Sequence, residues 1–205
     1  MIAIVDYGMG NLRSVHSALR RLGLAAEIAG QPSRIADAQA IILPGVGAFG
    51  EGMDNLRAAG LDALLPRLAR QGRPLLGICL GLQLLFGWSE EHGRHQGLGL
   101  FAGGVVRFPQ DLTVPHMGWN QVEPAGSPSP LLEGIAPGSH FYFAHSYHVE
   151  PDDRGTVVAT TDYGGPFASV VGGERMFGVQ FHPEKSAAVG ERLLANFARL
   201  AGEAA

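Results

Sequence analysis

Apolar positions fall into two regimes along the chain. In the first ninety residues, short unbroken apolar runs alternate with segments of helical period. Met1–Asp6, Leu24–Ala29 and Ala40–Leu43 read as strands, and Pro74–Ile78 shows no polar alternation, as expected of a strand buried on both faces of a parallel sheet. Helices are predicted from Asn11, as N-cap, to Leu22 with Gly23 as the stop, and over Met53–Ala59. A further helix covers Leu61–Gln71, where Pro66 is expected to interrupt it. The Leu-rich stretch after residue 79 reads as helix to about Trp88. Such a βαβαβαβα order implies a parallel sheet with helices on both faces and ligands bound beyond the carboxyl ends of its strands.

After Trp88 helical period becomes rare. Gly104–Phe108, Phe141–Tyr147, Thr156–Thr161, Ala168–Gly172 and Met176–Phe181 read as strands, taken as antiparallel additions to the sheet. In the last segment, Ala187–Leu200, Leu193, Leu194, Phe197 and Leu200 share one helical face. The predicted fold is α/β: one domain over residues 1–205, a three-layer sandwich with a mostly parallel central sheet, helices on both faces and antiparallel strands in the second half.

Composition adds a few constraints. A length of 205 residues suits one domain with a sizeable core. The 30 glycines, about twice the usual ~7% share, suggest many tight βα and αβ turns. A net charge of −4 offers no electrostatic reason to expect nucleic acid or an anionic membrane as partner. One cysteine excludes an intramolecular disulfide and fits a reducing cytosol. No apolar run approaches membrane-spanning length and no leader pattern is present, so a cytoplasmic protein is expected. Gly8 and Gly10 match neither nucleotide-binding glycine spacing, and no Cys/His cluster suggests a metal. No cofactor is expected.

Candidate chemistry centres on Gly77-Ile78-Cys79-Leu80-Gly81. A lone cysteine after an apolar run is ordinarily a small buried hydrophobe. Flanking glycines at a strand-to-helix switch are, however, the pattern of a nucleophile elbow, with Cys in place of Ser. That bend holds the sulfur at the positive end of the following helix and aims the Leu80 N–H at any oxyanion formed there. Downstream, Gly178-Val179-Gln180-Phe181-His182-Pro183-Glu184 supplies a matching base. In extended backbone, His182 and Glu184 point the same way, so the carboxylate can orient the imidazole that takes the thiol proton. The loop Pro44–Gly50 is either a plain turn or a source of backbone N–H groups near a substrate carbonyl.

The elbow heptad Gly77–Gln83 together with Phe181-His182-Pro183-Glu184 resembles the class I (triad) glutamine amidotransferases. Within that family, Asp6–Asn11, Pro44–Phe49 and Pro115-His116-Met117-Gly118-Trp119-Asn120 resemble the branch that supplies ammonia to a (βα)8-barrel cyclase, in imidazole glycerol phosphate synthase of histidine biosynthesis. The resemblance implies Cys79 as nucleophile, His182 as base and then acid, and Glu184 as orienter. It implies oxyanion donors at Leu80 and the Val46–Gly47 peptide. It assigns L-glutamine to Gly45, Gln83, Glu91, His145, Ser146 and Tyr147, and the cyclase interface to Asn11, Met117, Trp119 and Tyr142. Alone, Glu91 would read as a solvated loop charge, and Trp119 as core as readily as interface. The rivals are a triad glutaminase serving pyridoxal phosphate, anthranilate or GMP synthesis, a γ-glutamyl peptidase, and a non-enzymatic redox sensor. The last gives no reason for His182 and Glu184 two residues apart.

Overall fold

The computed structural model describes residues 1–126 and 128–202. Its first half consists of β1 (Ile2–Val5), α1 (Leu12–Arg21), β2 (Ala26–Ala29), α2 (Pro32–Asp37), β3 (Ala40–Gly45), α3 (Phe49–Ala58), α4 (Leu61–Arg70), β4 (Leu75–Cys79) and α5 (Leu80–Leu84). The second half is mostly strand: β5 (Phe86–Ser89), β6 (His95–Gln96), β7 (Phe101–Arg107), β8 (His116–Pro124), β9 (Ser139–His145), β10 (Tyr147–Pro151), β11 (Val157–Asp162), β12 (Pro166–Gly173) and β13 (Met176–Val179). Helix α6 (Ala187–Leu200) follows.

Strands β2-β1-β3-β4-β13 lie side by side and parallel. Antiparallel β12 and β10 extend them towards β7, β5 and β6, and β11 carries β8 and β9 as a branch from β12. The pleat sorts the strand residues into two cores. Ile2, Ile4, Ile42 and Ile78 pack with Val15 and Leu19 of α1 and Leu193, Leu194 and Phe197 of α6. Val5, Ile41, Leu43 and Leu75 pack on the other face with Ile35, Met53, Leu56, Leu61 and Leu65 of α2, α3 and α4. The three-layer expectation is borne out.

Several elements differ from expectation. Pro66 lies inside an unbroken α4 whose Leu61, Leu64, Leu65 and Leu68 are all buried. That anchored face outweighs the single backbone bond a proline removes. The Leu-rich helix stops at Leu84, because the Leu84 and Leu85 carbonyls accept from the amides of Leu98, Leu100 and Phe101 instead of continuing the helix. Residues 86–89 thereby become a strand against β7. Strand β13 is antiparallel only to β12; the turn at Glu174, with φ 51°, reverses the chain so that β13 runs parallel to β4. The run Phe141–Tyr147 divides at Ser146 into β9 and β10. Asn11 stands at the N-cap of α1 but makes no side-chain bond to the helix backbone; its Oδ1 accepts from Ser14 Oγ at 2.8 Å.

The junction of β4 and α5 is the tightest point of the fold. Cys79 has φ 54° and ψ −111°, close to the first central residue of a type II′ turn, a position normally given to glycine. A Cβ on Gly77 would lie 2.7 Å from the Gly81 oxygen, and one on Gly81 would overlap the Leu43 carbonyl oxygen. Backbone, unlike a flexible side chain, cannot yield at such a contact. Gly81→Ala is expected to cost about 3 kcal/mol of unfolding free energy or to prevent folding. Gly72→Ala, with φ 82° but open space around it, is expected to cost about 1 kcal/mol. Chemical denaturation of the two variants checks the contrast.

Candidate active site

Strands β3, β4 and β13 are parallel, so their carboxyl ends deliver three segments to one place. Gly45 ends β3 directly opposite Cys79 at the end of β4. Beyond β13, the backbone of His182 is clamped: its N–H donates to the Tyr142 carbonyl (2.8 Å), and its own carbonyl accepts from Ser186 Oγ (2.7 Å). Pro183 then opens a short 3-10 turn, Pro183–Lys185, which brings Glu184 back under the ring. His182 Nδ1 donates to Glu184 Oε1 at 2.9 Å, with both side chains buried. Burial opposes a charge on His182, yet its hydrogen bonds to Cys79 and Glu184, and the negative charge of both partners, outweigh burial and raise its pKa to about 10. With Nδ1 committed to the carboxylate, Nε2 is the nitrogen left to exchange a proton with the sulfur.

The sulfur has two further polar neighbours, the Gln180 Nε2 at 3.8 Å and the Ala144 carbonyl at 3.9 Å. It opens into a cavity of about 220 Å³ lined by Val46, Gly47, Cys79, Leu80, Gln83, Glu91, Pro115, Met117, Ala144, His145, Ser146 and Tyr147. Leu80 begins α5, where an N–H has no partner within the helix and is available to a bound oxygen. Gly47, with φ 107°, and the exposed Val46 form the opposite wall. The arrangement combines a thiol, an imidazole gripped by a carboxylate and a helix-start N–H around one small space. It can cleave a carboxamide by acyl transfer through the sulfur.

The chain matches the family described as Glutamine amidotransferase class-I over residues 3–200. It belongs to the class-I glutamine amidotransferases. A protein of Syntrophotalea carbinolica called "Imidazole glycerol phosphate synthase subunit HisH" is 50% identical over 96% of this chain and 98% of its own. Its namesake in Moorella thermoacetica is 52% identical, covering 97% of this chain and 94% of that protein. Among solved structures, one described as "Crystal structure of glutamine amidotransferase" superposes with a TM-score of 0.78 at 22% identity, over 98% of this chain and 100% of that one. "Structure of PurLQS from Thermotoga maritima" gives 0.76 at 19% identity, over 97% of each chain. At those identities the two structures speak to the fold alone.

The other residues singled out for this class-I amidotransferase are placed as follows. Glu91, Ser146 and Tyr147 line the cavity, whereas Gly45 lies beneath it, its missing Cβ leaving room for the Tyr7 hydroxyl and Leu80. Glu91 Oε2 also accepts from the Phe49 N–H (2.7 Å), the first amide of α3, which ties the far loop to the segment that carries Val46 and Gly47. Both amide protons of Gln83 are used within the protein, on the Tyr147 carbonyl (3.0 Å) and Gln180 Oε1 (3.2 Å), so only its oxygen remains for a ligand. His145 is likewise committed, to the Tyr147 carbonyl (2.8 Å) and His116 (3.0 Å). Burial lowers His116 to about 4 and His145 to about 3, so both are neutral at pH 7. Met117 and Trp119 are exposed beside the cavity mouth, Trp119 meeting the half-buried Tyr142 edge-on at 6.2 Å. Asn11 is half-buried at the start of α1.

Gln180, Ala144 and His116 escaped the sequence reading as site residues. Gln180 was visible only as part of the His-Pro-Glu run, and Ala144 acts through a backbone carbonyl that no side chain announces. Among the described residues no three His, Cys, Asp or Glu side chains are grouped to hold a metal ion, and no helix is long and apolar enough to cross a membrane.

The raised pKa of His182 has a stability consequence. The folded chain holds the His182 proton up to about pH 10, against 6.5 for an ordinary histidine. Its contribution is therefore complete below about pH 6.5 and lost as pH rises through 10. The unfolding free energy should fall across that window, and His182→Asn should flatten the slope; urea titrations at a series of pH values check both.

Proposed function

We propose that the chain is the glutaminase subunit of imidazole glycerol phosphate synthase. It would hydrolyse L-glutamine and pass ammonia to a (βα)8-barrel cyclase in a cytoplasmic heterodimer of histidine biosynthesis, for imidazole glycerol phosphate and AICAR formation. The observation that carries this reading is about 50% identity, over nearly the full length, to proteins bearing that name. Two features support it. Cys79 opens into a cavity sized for a small amino acid with His182 and Glu184 buried behind it, and the apolar side chains of Val46, Met117 and Trp119 are exposed, where a partner would cover the mouth.

In this reading the Cys79 sulfur attacks the glutamine δ-carbon, and the carbonyl oxygen becomes an oxyanion held by the N–H groups of Leu80 and the Val46–Gly47 peptide. The imidazolium of His182 protonates the amide nitrogen, the C–N bond breaks and ammonia leaves. Water then attacks the thioester, its proton passing to His182, and glutamate departs as the C–S bond breaks. Glu184 holds the ring throughout and stabilises its charge. Glu91 takes the ammonium of the substrate, and Ser146 and Tyr147 bound its head.

If Cys79 serves only to release ammonia, Cys79→Ser should abolish glutamine-dependent synthesis by the complex and leave synthesis from ammonium salts intact. Loss of both activities would sink the proposal.

A second expectation concerns the loop. Gly47 lets the Val46–Gly47 peptide turn over at small steric cost and present either its C=O or its N–H. A missing oxyanion donor is worth on the order of 10²–10³ in rate. The isolated chain should turn over slowly, and the liganded complex at least ~10²-fold faster, chiefly in kcat. Gly47→Val should lose much of that gain with glutamine affinity nearly unchanged. Equal kcat for free chain and complex would rule out the loop as the switch.

A further inference from the structure

We infer that the side-chain amide of Gln180 is a further working part of the reacting centre, donating to the Cys79 sulfur in an orientation fixed by a buried hydrogen-bonded chain. The inference takes Cys79 to be the nucleophile, as proposed above. Gln180 is fully buried, and its Nε2 lies 3.8 Å from Sγ. What matters is which end of the amide faces the sulfur. An N–H favours a thiolate, whereas a carbonyl oxygen would favour the thiol, as the Ala144 carbonyl at 3.9 Å does from another side.

The network decides the orientation link by link. The Tyr147 carbonyl can only accept, so His145 carries its proton on Nδ1 (2.8 Å) and its Nε2 is an acceptor. The facing His116 Nδ1, at 3.0 Å, must then be the donor, which leaves His116 Nε2 to accept from Asn120 Nδ2 at 3.2 Å. Asn120 is itself fixed, because its oxygen accepts from the Gln121 N–H (2.8 Å) and its nitrogen also donates to the Asp162 carbonyl (2.9 Å). Burial keeps both rings uncharged at neutral pH, so the direction of the chain is maintained. On the other side of Tyr147, Gln83 Nε2 donates to the same carbonyl (3.0 Å) and to Gln180 Oε1 (3.2 Å). With its oxygen held by Gln83, Gln180 presents its N–H to the sulfur. Turning the amide over would set two buried NH2 groups against each other, unsatisfied, and would put against the sulfur a carbonyl that favours the thiol over the thiolate.

Alkylation of Cys79 by iodoacetamide, followed by mass spectrometry on the full chain across pH 5–10, tests this. The titratable groups that act on the sulfur or its base are His182, Glu184 behind it, His145 on the β9 side and Tyr7 on the β1 side, and none of them is altered. Gln180→Met, close in size but unable to donate, should move the pH of half-maximal alkylation upward by about one unit, a roughly tenfold slower reaction at fixed pH below it. A role confined to packing would change the melting temperature and leave that pH in place. An unchanged pH profile in folded Gln180→Met overturns the inference. Should that variant not fold, Gln83→Met, which releases the Gln180 amide from its fixed orientation, is read by the same criterion: an upward move supports the inference and an unmoved profile overturns it. Alkylation needs neither glutamine nor a partner, so a negative result leaves the proposed glutaminase activity standing. Failure of Cys79→Ser to separate the two nitrogen sources would leave the alkylation result standing in turn.

Discussion

Everything at the carboxyl edge of this sheet depends on Cys79 holding a backbone conformation that side-chain-bearing residues seldom adopt. The strain is local, but the means of holding it are not. The β4–α5 corner is pressed against the Leu43 carbonyl on one side and against Gly178 on the other, where a Cβ would overlap the Leu82 side chain. The glycines at 77, 81 and 178 are thus contact surfaces, places where backbone meets a neighbour with nothing between. Loosening any of them would relax the bend and withdraw the sulfur from the base.

Parallel pairing does the rest. Because β3, β4 and β13 run the same way, segments far apart in the chain end at one rim: the Val46–Gly47 loop, the elbow and the His182–Glu184 turn. The antiparallel strands contribute what the parallel ones lack. Around the β9–β10 junction residues 144–147 pass beside the sulfur and its cavity, and β8, paired to β9, presents Met117 and Trp119 outward. The sandwich supplies the reaction and its added branch supplies the walls and the outer face.

Much of this was legible in the sequence. Unbroken apolar runs and glycine-flanked Cys79 identify the parallel core and the elbow, because burial on both faces and backbone proximity each leave a compositional mark. His182 and Glu184 are readable through their spacing. What stayed hidden was set by partners remote in sequence. The Leu-rich helix ends at Leu84 because residues 98–101 take its carbonyls, and Pro66 is tolerated because four leucines hold its helix. Strand β8 alternates with polar residues and joins an edge branch, so it carries only a weak apolar signal. The commitments of Gln83 and His145 to Tyr147 depend on which hydrogen faces which oxygen, and residue type says nothing of that.

The bond from Glu91 to the first amide of α3 joins two jobs in one carboxylate. One oxygen caps a helix while the group as a whole borders the cavity, so the carboxylate that lines this space also braces the segment that supplies Val46 and Gly47. The cavity wall and the loop geometry are therefore not independent variables at this position. Exchanging Glu91 for a neutral or shorter side chain would change the cavity wall and release the start of α3 together. Ser146 and Tyr147 border the same cavity without supporting a helix end, so its wall can change there with α3 left in place.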